Sequence, residues 1–162
     1  MSYYHTAQIC LNGHIITDSY DSSPALSQKF CDECGSETIT QCPNCHSNIR
    51  GDYEVSGICY LGSTMQKAPS YCYNCGESYP WTREALSSIA ELLLLESSLS
   101  DQELISLQSD LSSLLSDTPK TKLVATKLKL ALTKTSSVVS SAIRDILVDI
   151  ASEAAKKIIF PS

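Results

Sequence analysis

Cysteines arranged in Cys-x2-Cys pairs constrain this chain more than any other feature. Three such pairs occur before residue 77, namely Cys31 and Cys34, Cys42 and Cys45, and Cys72 and Cys75. A pair of this spacing forms a turn that presents two thiolates to one ion, and zinc takes four nitrogen or sulfur ligands in a tetrahedron. Such pairs favour zinc in a reducing cytosol over disulfides. The sequence therefore predicts a zinc scaffold in its first half.

The spacing of these residues predicts two closed ligand sets. Cys-x2-Cys-x26-Cys-x2-Cys, over residues 42–75, forms one set of four thiolates. Cys-x3-His-x16-Cys-x2-Cys, over residues 10–34, forms the other, with a turn at Gly13 joining its first two ligands. The predicted ligands of two structural zinc ions per chain are Cys10, His14, Cys31, Cys34, Cys42, Cys45, Cys72 and Cys75.

A merged site is the alternative to two separate ones. Seven residues separate the pairs at 31–34 and 42–45, which is enough for one compact site of four cysteines. The merged site would hold one ion per chain, whereas the separate sets would hold two. Four protein ligands close the coordination sphere in either arrangement, which is typical of structural zinc and argues against metal catalysis.

Other residues compete with His14 for its place in the first site. His5 and Cys59 are the alternatives, whereas His46 is predicted to be a bystander. Cys59 lies in the apolar stretch GICYL, which predicts a hairpin strand with this thiol buried as a small hydrophobe.

The composition changes near Trp81. All eight cysteines, three histidines and six glycines precede residue 77, and Phe160 is the one aromatic residue after Trp81. The first half alternates short Tyr, Ile and Val-rich stretches with glycine turns, which predicts β-hairpins, and the second half has a helical pattern. We therefore predict an α+β protein in which tandem small β zinc ribbons, residues 1–81, precede an all-α half, residues 82–162.

Capping signals divide the second half into helices. Thr82 is a candidate N-cap for the first helix, and Ser100 with Glu103 forms the capping-box pattern of the second. No glycine or proline occurs over residues 120–160, so this segment is either one long helix or two helices separated near residues 133–137.

An apolar stripe runs along the last segment at spacings of three and four residues. Its members are Val139, Ile143, Ile146, Ile150, Ala154 and Ile158. Such spacing places side chains on one face of a helix. The serine-rich helices before it offer few large side chains to cover that face. We therefore predict a homo-oligomer or a protein-docking surface through Ile143, Ile146 and Ile150, with an intramolecular bundle as the alternative.

The charge of the first half argues against nucleic acid as its partner. Before residue 82 there are three Lys or Arg residues against eight Asp or Glu residues, and thiolate ligands add negative charge. Phosphate binding needs a basic footprint, which this half lacks. Six aromatic side chains could stack on bases, yet we expect them to build the small core around the metal: Tyr53, Tyr60, Tyr71, Tyr73, Tyr79 and Trp81.

Five lysines form the one basic cluster. Helical spacing places Lys120, Lys127 and Lys134 on one stripe and Lys122 with Lys129 nearly opposite. We expect lysines divided in this way to flank an apolar seam and to contact the acidic ribbon half, rather than to form a phosphate-binding face.

Several segments together resemble a known family. They are AQICLNGH, KFCDECGSETIT, CPNC, IRGDYEV, PSYCYNCGESYPWT, TPKTKLVATKLKLALTK and RDILVDIASEAAKK. They are similar to a bacterial family of uncharacterised zinc-ribbon proteins, the domain of unknown function 2321, nearly from end to end. The largest departure lies at LESSLSDQELISLQSDLSS. The resemblance implies a bacterial origin, tandem ribbons and a cytosolic place, and it implies no activity.

These observations predict a cytoplasmic, non-enzymatic zinc-binding adaptor. The sequence contains no Gly-x-Ser-x-Gly, phosphate-loop, dinucleotide or His-Glu-x-x-His motif. It also shows neither a signal-peptide start nor an apolar run long enough to span a bilayer, so no membrane contact is expected. The alternatives are a nucleic-acid-binding regulator and a thiol redox sensor whose oxidation releases zinc.

Overall fold

The computed structural model describes residues 1–96 and 98–162. The chain divides into two compact units, residues 1–83 and residues 84–162, whereas the predicted boundary lies after Trp81. Small antiparallel sheets and the cysteine clusters occupy the N-terminal part, and the helices lie mostly in the C-terminal part. The predicted α+β class is therefore confirmed.

Two small antiparallel sheets form the framework of the first unit. The strands are β1 (Tyr3–Thr6), β2 (Gln8–Cys10), β3 (Ile15–Thr17), β4 (Thr38–Ile39) and β5 (Arg50–Glu54). β1 pairs with β5, and the other sheet has the order β3–β2–β4. Because β2 is the central strand of its sheet and ends at Cys10, the sheet fixes the position of the first predicted zinc ligand.

The core of the first unit is small and includes metal-ligand candidates. It contains Ala7, Ile9, Ile49, Tyr79 and Trp81 together with Cys42 and Cys72. The rings of Tyr79 and Trp81 stack with centroids 4.7 Å apart, and the Trp81 indole N–H donates to a backbone carbonyl at 2.9 Å. Because two thiols belong to this core, its packing and the metal cluster depend on each other.

Four of the six aromatic residues predicted for this core lie outside it. Tyr53, Tyr60, Tyr71 and Tyr73 are exposed, so the prediction is wrong for them. Successive residues of extended chain point to opposite sides. Tyr71 precedes the buried Cys72 in extended chain and therefore points away from the core that Cys72 enters, whereas Tyr73 lies in the turn between Cys72 and Cys75.

The stretch that includes Cys59 is irregular. Residues 55–70, all of which the structure describes, contain no strand, and Cys59 is exposed together with its neighbours Ile58, Tyr60 and Leu61. The predicted hairpin strand and the buried Cys59 are therefore wrong. Gly57 and Gly62 adopt φ of +85° and +111°, so the chain turns at both ends of GICYL and leaves few residues to pair.

Five α-helices occur among the described residues from 80 onwards. They are α1 (Pro80–Leu94), α2 (Asp101–Asp110), α3 (Thr121–Leu132), α4 (Ser137–Ile150) and α5 (Glu153–Ile159). Ser100 and Glu103 form the predicted capping box of α2. Thr82 is not a cap, since α1 begins before it and the Thr82 hydroxyl donates to the Ser70 carbonyl at 2.9 Å. Within the described residues, none of these helices combines the length and apolar character that a membrane crossing needs.

Residues 120–160 form three helices. The first break, between α3 and α4, lies where the two-helix alternative places it. The second break was not predicted: Ala151 is extended, and the Ser152 side chain accepts the N–H of Ala155 as the N-cap of α5. The Ser152 N–H also donates to the Leu114 carbonyl at 2.8 Å. These two bonds replace the ones that a continuous helix would supply.

The apolar stripe of α4 packs inside the second unit. Ile143 is fully buried, and Ile146 and Ile150 are partly buried against the same core. The same core cluster includes side chains of α2, the short turn after it, α3 and α5, among them Leu107, Leu111, Leu114, Val124, Leu128 and Ile159. The bundle alternative therefore describes these contacts, and Ile143 offers no surface to a partner. Self-association through other side chains stays a prediction.

The stripe of Lys120, Lys127 and Lys134 contacts α2. Lys120 and Lys127 lie 3.7 and 3.4 Å from the carboxylate of Asp110, and Lys134 pairs with Glu103. Acids of the neighbouring helix therefore pair with these three lysines. Their contact with the acidic ribbon half, of the same or another subunit, stays a prediction.

Candidate metal centres

The eight predicted ligands lie in two groups of four. Cys10, His14, Cys31 and Cys34 form the first cluster, and Cys42, Cys45, Cys72 and Cys75 form the second. Within each cluster the candidate ligand atoms lie within 4.8 Å of one another, and the thiols are free. The merged site is not formed, because the pairs at 31–34 and 42–45 meet different partners.

The sulfur spacings of the second cluster fit a tetrahedral ion. The Sγ atoms of Cys42 and Cys75 are 3.8 Å apart, and those of Cys45 and Cys72 are 3.6 Å apart. With metal–sulfur bonds of about 2.3 Å, tetrahedral geometry separates two sulfurs by about 3.8 Å. A disulfide would bring them to about 2.05 Å. The four thiols are therefore spaced as zinc ligands are.

The first cluster fits the same geometry with one nitrogen ligand. The Sγ atoms of Cys10 and Cys34 are 3.7 Å apart, and His14 Nδ1 lies 3.5 Å from Cys10 Sγ and 3.6 Å from Cys31 Sγ. Zinc–nitrogen bonds of about 2.0 Å beside zinc–sulfur bonds of about 2.3 Å require a separation of about 3.5 Å. His14 Nε2 faces Glu33 at 3.8 Å, a carboxylate able to orient the ring.

The three Cys-x2-Cys pairs share one backbone turn. The N–H of each first cysteine donates to the carbonyl five residues later, that of Ser36, Ser47 or Glu77, at 2.8 to 2.9 Å. The N–H of the residue after each second cysteine returns to the first cysteine's carbonyl. This repeated turn holds the two sulfurs on one side of the chain, where a single ion can reach both.

His46 has a backbone role that sequence reasoning missed. It follows Cys45 at the position that Gly35 and Gly76 hold in the other two turns, and all three adopt positive φ, of +60°, +74° and +75°. Histidine enters this region more readily than most side chains. Its ring is outside both clusters, as predicted of a bystander. Alignment of the three pairs is the signal that could have revealed the backbone role.

Gly13 brings His14 back to Cys10. Its φ is +90°, and the Gly13 N–H donates to the Cys10 carbonyl at 2.9 Å. A Cβ at this position would lie 3.1 Å from the Trp81 side chain. The turn therefore needs glycine both for its conformation and for its contact with the core.

In both clusters an asparagine side chain affects the second cysteine of the opposite turn. Asn12 Nδ2 donates to Cys34 Sγ at 3.3 Å, and the side chain of Asn74 helps to lower the pKa of Cys45. Each asparagine belongs to one turn and reaches the second cysteine of the opposite turn. These two residues lie between predicted ligands, yet the cysteine spacing alone gave no reason to select them.

Hydrogen bonds favour the thiolate forms of Cys34 and Cys45. The backbone N–H of Ser36 and the Asn12 amide lower the pKa of Cys34 to about 6. Side-chain and backbone donation from Ser47 lowers the pKa of Cys45 to about 5. Burial has the opposite effect on Cys42 and raises its pKa to about 11. A bound cation would favour the thiolate there as well.

The competitors of His14 lie away from the clusters. His5 Nδ1 is 3.0 Å from Asp21, and its Nε2 is 2.8 Å from Glu54, so both ring nitrogens are occupied. Cys59 is exposed and belongs to neither cluster. Of the three candidates, the structure therefore brings only His14 to the first set of cysteines.

Comparison with known proteins gives a family. No curated protein and no solved structure matches the chain. The model of a family described as an uncharacterized protein conserved in bacteria, the domain of unknown function 2321, matches residues 3–159. This match spans both units and includes all eight candidate ligands. The chain therefore belongs to this bacterial family.

Proposed function

We propose that the protein is a non-enzymatic zinc-binding adaptor, in which two structural zinc ions hold the N-terminal ribbons and the helical unit supports protein contacts. The observation that carries the proposal is the pair of four-ligand clusters with tetrahedral spacings. Thiolate and imidazole ligands in this geometry favour zinc among the common divalent metals. Free thiols arranged for metal are also consistent with the reducing cytoplasm.

Closed coordination supports a structural role for both ions. Each cluster supplies four protein ligands, so an ion bound by all of them has no open position for water or substrate. Cys10, Cys31, Cys42 and Cys72 are buried, which ties both clusters into the packing of the unit. An ion held in this way contributes to folding rather than to a reaction.

Elemental analysis of the purified protein tests the proposal. We expect two zinc ions per chain, and one after Cys42→Ser, because the second cluster then has three ligands. One ion in the wild-type protein would contradict the two-site assignment. Absence of zinc after purification without chelator, with none taken up on titration, would overturn the scaffold.

Variants of His14 and its competitors test the first cluster. His14→Ala should release one zinc ion to a mild chelator, whereas His14→Cys should retain it, since a fourth thiolate can replace the imidazole. His5→Ala and Cys59→Ala are matched controls and should leave both ions in place. If either control lost zinc and His14→Ala retained it, the fourth ligand of the first cluster would be the residue changed in that control.

Self-association belongs to the proposal as its second part. Ile146 and Ile150 are only partly buried against the helical core, so their outer edges remain for a second copy. Light scattering over micromolar concentrations should then find a dimer, and Ile150→Asp should weaken it while zinc content stays unchanged. A monomer throughout this range would overturn self-association and leave the zinc scaffold standing.

A thiol redox sensor is the second candidate. Cys34 of the first cluster and Cys75 of the second are both exposed, so an oxidant could reach one sulfur of each cluster. If this function is correct, dilute peroxide should release zinc from both clusters, and thiol reductant should restore binding. Retention of zinc in both clusters would exclude this function in favour of the adaptor.

A further inference from the structure

Four flat side chains lie in a row that runs from the sheet of β1 and β5 to the turn between Cys72 and Cys75. Tyr4 and Tyr53 face each other across the sheet with ring centroids 4.7 Å apart. The Arg50 guanidinium lies 4.6 Å from the Tyr4 ring and 3.8 Å from the Tyr73 ring. The order is therefore Tyr53, Tyr4, Arg50 and Tyr73, and we call this row the tyrosine ladder.

The tyrosine ladder is exposed and rigid. Its three rings keep 38%, 48% and 53% of their surface open, for Tyr53, Tyr4 and Tyr73 respectively. Arg50 is held between two rings, which fixes its plane at little cost in flexibility. Aromatic and arginine side chains fixed at a surface are the residues on which binding energy concentrates.

The hydroxyl groups of the tyrosine ladder are available to a ligand. Within the part of the chain that the structure describes, no hydrogen bond joins the hydroxyls of Tyr4, Tyr53 or Tyr73 to another protein group. Tyr3 on the same strand differs, because its hydroxyl donates to Glu54 at 3.0 Å. A ligand with unpaired acceptors could therefore receive up to three hydrogen bonds from the row.

The backbone edges beside the tyrosine ladder are occupied. The Tyr53 N–H donates to Thr64 Oγ1 at 3.3 Å on the outer side of β5, and the Thr6 N–H donates to Asp21 at 2.8 Å on β1. An incoming strand could not pair fully with either edge. Recognition must therefore use the faces and hydroxyls of side chains, as in aromatic-lined surfaces that bind polyproline II segments.

The charge of the first unit favours a basic peptide over single-stranded nucleic acid as the ligand of this row. Residues 1–83 hold eight Asp or Glu residues against four Lys or Arg residues, and metal-bound thiolates add negative charge. The charged member of the row itself is Arg50, so the negative charge of the unit lies around the row rather than in it. Asp52 accepts from Thr64, and Glu54 contacts His5. Single-stranded nucleic acid needs a cationic groove along its phosphates. A basic peptide is complementary to this unit, whereas a phosphate backbone is not.

We propose that the tyrosine ladder binds a proline-rich, positively charged segment of another protein. Such a segment is extended without internal hydrogen bonds, so its carbonyls can accept from the tyrosine hydroxyls while its proline rings pack on the aromatic faces. The inference rests on the proposed adaptor function and assigns its docking surface and partner chemistry.

Titration of the full-length zinc-loaded protein with a synthetic peptide tests the inference. The probe is a run of about ten prolines flanked by lysines, a length of about three turns of polyproline II helix. Amide and tyrosine NMR signals of Tyr4, Tyr53 and Tyr73 should shift on titration. The same peptide with glutamates for lysines should bind more weakly, and a glycine–serine peptide with the lysines should not shift these signals.

Variants distinguish binding at the tyrosine ladder from non-specific binding elsewhere on the protein. Tyr4→Ala and Tyr73→Ala should each weaken binding roughly tenfold, as loss of a binding hot spot does. Arg50→Lys keeps the charge and removes the flat group, so it should also weaken binding. Tyr60→Ala, a change of an exposed tyrosine outside the row, is the matched control and should bind as the wild type does.

Each outcome decides the inference. Unchanged affinity in Tyr4→Ala and Tyr73→Ala, or no shift with the proline peptide, overturns it. Binding of an oligothymidylate at these residues in place of the peptide also overturns it and favours a nucleic-acid regulator. Two zinc ions in a protein that ignores the peptide would refute the docking surface while leaving the zinc scaffold intact, and zinc content of each variant confirms that its turns have folded.

Discussion

The two units of this chain are stabilised by different means. The ribbon unit has strands of two to five residues and a small core that already includes two cysteine ligands. The helical unit, of similar length, has a continuous core of leucine, isoleucine, valine and alanine drawn from all five helices. Small domains that cannot bury enough apolar surface need metal or disulfides. The proposed zinc ions would fill this need in the ribbon unit, whereas the helical unit has an apolar core.

This difference also decides where the large side chains lie. The helical unit uses its apolar stripe internally, since Ile143 and Leu147 have no exposed surface. In the ribbon unit the proposed zinc ions would supply folding energy at the clusters, so Tyr4, Tyr53 and Tyr73 can remain at the surface. The binding surface that we propose therefore lies on the unit with the smaller core.

Removal of metal should have the largest effect, and it should affect only the ribbon unit. A strong chelator should unfold the ribbon unit, because structural zinc binding of about 10–16 kcal/mol is largely folding energy. The helical unit should keep its helical circular dichroism. Trp81 is the single tryptophan and lies in the ribbon core, so its fluorescence reports that unit alone. We expect a red shift that reverses when zinc is restored.

Two results would contradict this difference in how the units are stabilised. Unchanged Trp81 emission after complete zinc removal would mean that the small core folds the ribbons by itself. Loss of helical signal together with the emission shift would mean that the units fold as one. Either result would contradict the proposal that zinc stabilises the ribbon unit and apolar packing the helical unit.

A cavity in the helical core should have the next largest effect. Ile143→Ala should lower the free energy of unfolding of the helical unit by about 2–5 kcal/mol, because the side chain is fully buried. Val138→Ala on the same helix is the control, since Val138 is 77% exposed and should change stability by less than about 0.5 kcal/mol. Thermal denaturation followed by circular dichroism measures both, and zinc content should not change.

Sequence alone predicted the parts of the fold that depend on spacing. The cysteine pairs indicated which ligands meet, and the capping pattern at Ser100 and Glu103 located the start of α2. Both signals are local, since each turn determines which side chains face one another. The break at Ser152 is equally local, and its serine cap followed by Glu153 could have revealed it.

Burial could not be predicted in the same way. The stripe of α4 gave no sign of whether another helix of the chain or a second copy would cover it, because coverage depends on tertiary packing. Tyr53 and Tyr73 are large aromatic residues of the kind that usually enters a core, yet Tyr53 lies exposed on β5 and Tyr73 exposed in the turn between Cys72 and Cys75. Aromatic content is therefore a poor guide to the core of this unit.

The capping box should have a smaller effect, confined to the helical unit. Ser100→Ala removes the acceptor for the Glu103 N–H and should cost about 1 kcal/mol. Ser109→Ala near the end of the same helix is the control and should be neutral or slightly stabilising, because alanine is the better helix former. Chemical denaturation followed by circular dichroism compares the two. Equal costs would show that the box contributes nothing beyond the loss of a hydroxyl.

The smallest expected effect concerns His5 and tests how the ribbon unit depends on pH. Burial alone lowers the pKa of His5, but hydrogen bonds with Glu54 and Asp21 outweigh it and raise the pKa above its usual value. A neutral imidazole has a single N–H, whereas both His5 nitrogens lie within 3.0 Å of a carboxylate oxygen. The folded unit therefore favours the charged ring. Because the two carboxylates are 44% and 50% exposed, solvent screening reduces the stability that the folded unit gains from their pairing with the charged ring.

The sign of the pH effect follows from the raised pKa. The stabilisation is fully present below about pH 6.5, the ordinary histidine pKa, and is lost as pH rises through the raised value in the folded protein. Thermal unfolding at constant zinc, followed by Trp81 fluorescence, should show wild type losing its advantage over His5→Gln across that range. Subtracting the variant removes the common pH dependence of the thiols, while Asp52, Tyr3, Asp21 and Glu54 remain in both proteins. A difference that grows with pH would mean that His5 is held neutral, and the pairing with both carboxylates would then be wrong.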